Sequence, residues 1–167
     1  MVYPKLLSAF NPLILLALCA CSFMLTACST LDTVDSWVYK IPKVQLGEVT
    51  VVTEAGSNRN TAIEIEILLV QDIELLKKIS ELPARKWFEA REDIRKNYPG
   101  GFESFGWELS PRQEVRLRKT ELSGKRAYAV VIFANYLASG EHRARIDNFK
   151  DGIIVRLREN EFVVTQR

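Results

Sequence analysis

Few residues in this chain are equipped for chemistry. Of its 167 residues, three are cysteines, and Cys19, Cys21 and Cys28 all fall in the stretch LCACSFMLTACS at 18–29. The one histidine is His142. Clustered thiols serve as a disulfide, as a metal site, or as a processing signal from which one cysteine survives. Zinc draws its remaining ligands from a second Cys/His cluster, and His142 alone cannot supply one. A Cys19–Cys21 disulfide closes a loop too small to restrain much unfolded-chain entropy.

The surroundings favour processing. Lys5 and the amino terminus give a positive end, Leu13-Ile14-Leu15-Leu16-Ala17-Leu18 opens an apolar core running to Leu25, and small residues lead to Cys28, the order of a secretory signal. An uncleaved membrane-spanning helix is the competing reading. The uncharged run Pro12–Ala27 has 16 residues, just short of the roughly 17–25 that a span requires. Leu25-Thr26-Ala27-Cys28 resembles the bacterial lipobox, which implies cleavage before Cys28 and acylation of its thiol. Two or more acyl chains anchor stably without a transmembrane helix, at about 0.8 kcal/mol per buried methylene. Leu18-Cys19-Ala20-Cys21 is the poorer match, because a cysteine stands at its second position. Ser29 after the acylated residue implies, for sorted lipoproteins, the outer membrane.

Other constellations are incomplete. His142 lacks a Gly-x-Ser-x-Gly elbow, and Gly101-Phe102-Glu103-Ser104-Phe105-Gly106 has the wrong spacing. Ser123-Gly124-Lys125 lacks the remaining elements of a phosphate loop. Glu64 and Glu66 stand two apart on an alternating strand, hence side by side on its wet face, with no burial to raise a pKa. The reading is of a non-enzymatic protein with no metal and no cofactor. Removing 1–27 takes Lys5 and no acid, leaving 22 basic against 21 acidic side chains, a balance that gathers no nucleic acid.

The remaining 140 residues suit one domain. The domains read as a signal peptide at 1–27, an acylated tether at 28–43 on which Trp37 and Tyr39 could dock back, and a β-domain at 44–167. Val44, Leu46, Val49 and Val51 alternate with polar or small residues up to a break at 54–60. Ile63, Ile65 and Ile67 then alternate with Glu64 and Glu66, and the two runs read as antiparallel neighbours joined by a polar loop. At Asp72 the period becomes helical: Asp72 is a cap, Ile73, Leu76 and Ile79 share a face, and Pro83 interrupts. Trp87 and Phe88 read as the anchor of a helical insert over about 72–98. Strands follow at 102–109, 115–122, 127–136, 142–146, 153–158 and 162–165. The run 127–133, apolar on both faces, belongs at the centre of a sheet. Together these predict a mainly β, two-sheet β-sandwich with a short helical insert after the second strand.

The lipobox, the short strands, the polar loop between the first two and the helical insert after the second together resemble the type VI secretion lipoprotein family TssJ (SciN/VasD), over most of 44–165. That resemblance implies a transthyretin-like sandwich on the inner leaflet of the outer membrane. It also implies binding to the periplasmic domain of the inner-membrane protein TssM, which works with TssL. By position, the family's partner loop corresponds to Gly56, Ser57, Asn58, Arg59 and Asn60. Pro111-Arg112 departs from the family's usual Pro-Gly, a change that bears only on turn type. The alternative is a lipid-anchored pilotin or ligand-binding lipoprotein of another envelope machine, using Asn135 to Arg143.

Overall fold

Hydrophobic alternation builds two stacked sheets. The computed structural model of the protein describes residues 40–149 and 151–167; the signal sequence, Cys28, Trp37 and Tyr39 lie outside them. Among the described residues eight strands occur: β1 (Val49–Thr53), β2 (Ile63–Val70), β3 (Phe102–Leu109), β4 (Glu114–Leu117), β5 (Ala129–Asn135), β6 (Arg143–Ile146), β7 (Ile153–Leu157) and β8 (Phe162–Gln166). They form sheets of order β4-β1-β7-β8 and β3-β2-β5-β6. Neighbours are antiparallel except β1 and β7, which run parallel from Val49↔Ile153 to Thr53↔Leu157. Val49, Val51, Val155 and Leu157 of the first sheet meet Ile63, Ile65, Ile67 and Ile132 of the second in one buried core. This is the expected sandwich.

β1 and β2 are not neighbours. They lie in different sheets, so the polar segment between them crosses the sandwich rather than closing a hairpin. β1 finds its partners in β4 and β7, far along the chain, which no local pattern reveals.

The outer face of the second sheet is covered by the helices α1 (Ile73–Ile79) and α2 (Ala84–Asn97). Asp72 caps α1, its Oδ1 accepting the N–H groups of Glu74 (2.8 Å) and Leu75 (2.9 Å). Leu75, Leu76 and Ile79 face the sheet, whereas Ile73, expected on that face, is 45% exposed. At about 100° per residue, Ile73 falls to one side of the stripe formed by Leu75, Leu76 and Ile79. Trp87 is fully buried, stacked on Phe133 at 5.1 Å and edge-on to Phe102 at 5.4 Å. It anchors the insert.

Trp87 also corrects the reading of β2 as wet on one face. The Glu66 side chain lies beneath α2, where Oε2 accepts Trp87 Nε1–H at 2.9 Å and Arg91 at 3.4 Å. A buried indole needs an acceptor for its N–H, and a buried carboxylate needs donors, so each satisfies the other. Glu64, half-buried, is held by Arg91 at 2.6 Å. A second local correction falls at 115–122. The strand stops at Leu117, and a helical turn, Lys119–Leu122, follows because Glu121 accepts the N–H of Arg118 at 2.8 Å.

Candidate functional site

Strand direction sorts the connections between two ends. The segments 54–62 (β1 to β2), 110–113 (β3 to β4), 136–142 (β5 to β6) and 158–161 (β7 to β8) gather at one pole. The entering segment lies at the other: Val44 N–H bonds Lys125 O at 2.9 Å and Ala127 N–H bonds Pro42 O at 3.0 Å. Residues 42–44 therefore enter the domain at the pole opposite these connections.

At the pole the backbone of 56–60 is left-handed at every residue but Ser57. Gly56 has φ 81°, then Asn58, Arg59 and Asn60 have φ of 49°, 57° and 63°. Each such non-glycine residue costs about 1–2 kcal/mol, less for Asn. The turn persists because Asn58, buried to 2% exposure, is fully bonded. Its Nδ2 donates to Thr61 Oγ1 (2.9 Å) and Ala62 O (2.8 Å), and its Oδ1 accepts Leu137 N–H (2.8 Å). Its own N–H donates to Arg158 O at 3.1 Å. One side chain and its peptide thus tie three of the four polar segments together, each bond contributing about 0.5–1.5 kcal/mol.

The five residues assigned by position to a partner loop divide accordingly. Ser57 and Asn58 are buried, Gly56 is half-buried, and only Arg59 and Asn60 are exposed. Ser57 Oγ is a buried hydroxyl with no hydrogen-bond partner among the described residues. Beside the exposed pair stands Leu137, 56% exposed, which sequence reading did not single out. Its segment is rigid: Tyr136 O–H donates to Glu161 O at 2.6 Å, and burial pushes that hydroxyl's pKa up, so it remains a donor. The turn at Ser110-Pro111-Arg112-Gln113 is also fixed, since Thr53 Oγ1 donates to Ser110 O at 2.7 Å. Arg112 there has φ 66°, the conformation a type II turn assigns to glycine. The departure from Pro-Gly therefore stores strain as well as setting turn type.

His142 offers no catalytic base at its outer nitrogen. Nε2 sits 2.9 Å from Ala138 O, and the ring packs on Tyr136 at 4.6 Å. Among the described residues no three His, Cys, Asp or Glu side chains gather as metal ligands, and no helix is long and apolar enough to cross a membrane.

An open groove of about 960 Å³ runs from the pole down the helix-covered face of the second sheet. Its floor is the cross-strand row Glu108–Glu64–Asn135. Phe88 and Arg85 of α2 form one wall, and Trp107 and Leu137 complete the rim.

No protein-family model matches this sequence, and no curated protein matches it either. Solved structures do. The chain is similar to the T6SS lipoprotein TssJ1 from Pseudomonas aeruginosa, with TM-score 0.56 and 12% identity over 75% of this chain and 98% of that one. It is similar to a chain of a Type VI membrane complex, with TM-score 0.54 and 11% identity over 71% and 96%. Serratia marcescens Lip, a membrane-bound component of the Type VI Secretion System, matches with TM-score 0.48 and 12% identity over 72% and 96%. At these identities the likeness shows one thing, the TssJ-like fold of this chain.

Proposed function

We propose that this chain is a lipid-anchored, non-enzymatic component of a type VI secretion membrane complex. In this reading it is acylated at Cys28 and held on the periplasmic face of the outer membrane. It binds the periplasmic domain of a TssM-like inner-membrane protein, which in turn works with a TssL-like partner. The TssJ-like fold supports the complex. The observation that carries the binding role is the polarity of the domain. Chain entry lies at one pole, and a braced cluster of connections presenting Arg59, Asn60 and Leu137 lies at the other. An anchor at the entry pole leaves the loop pole directed away from its own attachment, where a trans-envelope partner would meet it. A preformed loop loses little conformational freedom on binding.

Within the five-residue loop, Arg59 and Asn60 are the contact residues, while Gly56, Ser57 and Asn58 hold their backbone. The test is the affinity of the mature lipoprotein in detergent for the periplasmic domain of the TssM-like protein of the same cell. The double variant Arg59→Gly/Asn60→Gly keeps a backbone that glycine adopts readily and removes both side chains. An affinity loss of about tenfold or more with a melting temperature no lower than the parent's supports the reading, on the scale of interface side chains that matter. Unchanged affinity removes the loop from the interface.

A further inference from the structure

The groove beside the pole has an unbalanced floor. Glu64 and Glu108 are direct cross-strand partners of β2 and β3, a placement that brings like charges to within about 5 Å at Cβ and is unfavourable unless a cation intervenes. Arg91 answers only Glu64 of the two and is otherwise committed: its Nη1 bonds Glu64 Oε1 at 2.6 Å and Glu66 Oε2 at 3.4 Å. Arg95, 3.7 Å from Glu66 Oε1, serves the buried carboxylate as well. The exposed side chain of Glu108 has no ion pair or hydrogen bond among the described residues. Next to it, opposite Glu66, is Gly106, whose missing side chain leaves the floor open between the sheet edge and α2. Apolar surface flanks the charge on both sides, from Phe88 on the helix and from Leu137 at the pole.

We infer that this groove receives a segment of the same periplasmic partner carrying a lysine or arginine beside an aliphatic side chain. The cation sits against Glu108 and Glu64, and the aliphatic residue lies between Phe88 and Leu137. Charge complementarity selects this occupant, because three carboxylates, Glu64, Glu89 and Glu108, line the groove against one cation, Arg85. The chain's own segment 29–39 contains Asp32 and Asp35 and no basic residue, so it is repelled by the same floor. Continuity with the pole supports it too, because Asn58 and Leu137 border both the groove and the exposed loop. A partner seated on Arg59 and Asn60 has the groove within reach of its next segment. The inference rests on the proposed function and adds a second, chemically distinct contact to it.

The experiment measures binding of the full acylated lipoprotein in detergent to the periplasmic domain of the TssM-like protein. Two groove variants are compared with Arg59→Gly/Asn60→Gly. Glu108→Lys reverses the free carboxylate, and Gly106→Val fills the floor at a position where an added Cβ makes only ordinary contact, 3.8 Å from Glu66 Cγ. Each is expected to weaken binding about tenfold or more, with the melting temperature within about two degrees of the unaltered protein. One Lys→Glu or Arg→Glu substitution in the partner domain is expected to restore binding to Glu108→Lys specifically. If the loop variant weakens binding and both groove variants bind like the unaltered protein, the groove inference is overturned and the proposed function stands. If weakening by Glu108→Lys is rescued by no single basic-residue reversal, the cation contact is overturned. If the unaltered lipoprotein fails to bind the domain, both fall.

Discussion

Asn58 Oδ1 accepts the backbone N–H of Leu137 at 2.8 Å, joining the segment that crosses between the two sheets to the end of the central strand β5. Its Nδ2 spans Thr61 Oγ1 and Ala62 O at the same time. Asn58→Ala leaves the Leu137 N–H and the Ala62 carbonyl without their partner and removes an αL-tolerant residue. The expected loss is about 2–3 kcal/mol, or about 8–12 °C in melting temperature for a domain of this size. Asn58→Asp preserves the acceptor for Leu137 but turns a donor into a second acceptor facing Ala62 O, so it destabilises as well. Thermal unfolding followed by circular dichroism reads both, and a variant as stable as the parent would show that the brace is dispensable.

The opposite sign is expected at Arg112. Its φ of 66° follows Pro111 in a turn whose Arg112 N–H donates to Thr53 O at 3.0 Å, and its side chain is exposed with no ion pair among the described residues. Arg112→Gly relieves the left-handed strain of about 1–2 kcal/mol and costs about 0.4–1 kcal/mol through the more flexible unfolded chain. A net stabilisation of about 0.5–1 kcal/mol follows, measured as a higher urea midpoint at unchanged slope. A lower midpoint would mean that the arginine side chain holds the turn.

Most of the layer structure was legible. The alternation Ile63, Ile65, Ile67, the cap at Asp72, the break at Pro83 and the doubly apolar β5 are local signals, and each corresponds to an observed element. What escaped was nonlocal. Glu66 reads as solvated because its burial comes from Trp87, which lies 21 positions away. The β1–β2 pair reads as a hairpin because nothing within 44–70 shows that β7 and β4 are β1's partners. At the candidate site, the type of turn was half visible: Gly56, Asn58 and Asn60 are residues that tolerate positive φ. Their number could have suggested a left-handed turn, but that Asn58 is buried and Arg59 exposed depends on Leu137 and Arg158 arriving from distant strands.

The Glu66–Trp87 pair fixes how firmly the insert sits. Glu66→Ala strips the indole N–H and Arg91 of a buried acceptor, with an expected cost of about 3 kcal/mol. Glu66→Gln keeps an oxygen for Trp87 Nε1 and should cost less than half as much. The melting temperatures of the two variants, measured side by side, separate the hydrogen bond from the charge. Equal losses would assign the whole effect to the charge.

A close approach in the β5–β6 segment permits a test by coupling. A Cβ built on Gly140 would stand 2.8 Å from His142 Nε2, nearer than such atoms come, so Gly140→Ala must push the imidazole off Ala138 O. Gly140 also has φ 158°, a conformation that side chains rarely adopt at a cost of about 1–3 kcal/mol; only the remainder, about 1 kcal/mol for a surface hydrogen bond and its packing, should vanish when the histidine is already gone. In a double-mutant cycle, Gly140→Ala is expected to cost less in the background of His142→Ala than in the parent, giving a coupling above about 0.5 kcal/mol. Additive losses would place the whole cost in the backbone of Gly140 itself.

The anchor yields the sharpest chemical contrast, because two cysteines compete for one role and only one has small residues at both preceding positions. Cys28 follows Leu25-Thr26-Ala27, whereas Cys21 follows Leu18-Cys19-Ala20. With acylation at Cys28, Cys28→Ser abolishes labelling by radioactive palmitate, leaves the uncleaved precursor and moves the protein out of the outer-membrane fraction. Cys21→Ser does none of these, because that residue leaves with the signal peptide. Loss of a single chain already weakens attachment by many methylenes at about 0.8 kcal/mol each, so fractionation resolves the two variants clearly. Labelling that survives Cys28→Ser and disappears with Cys21→Ser would move the anchor seven residues upstream.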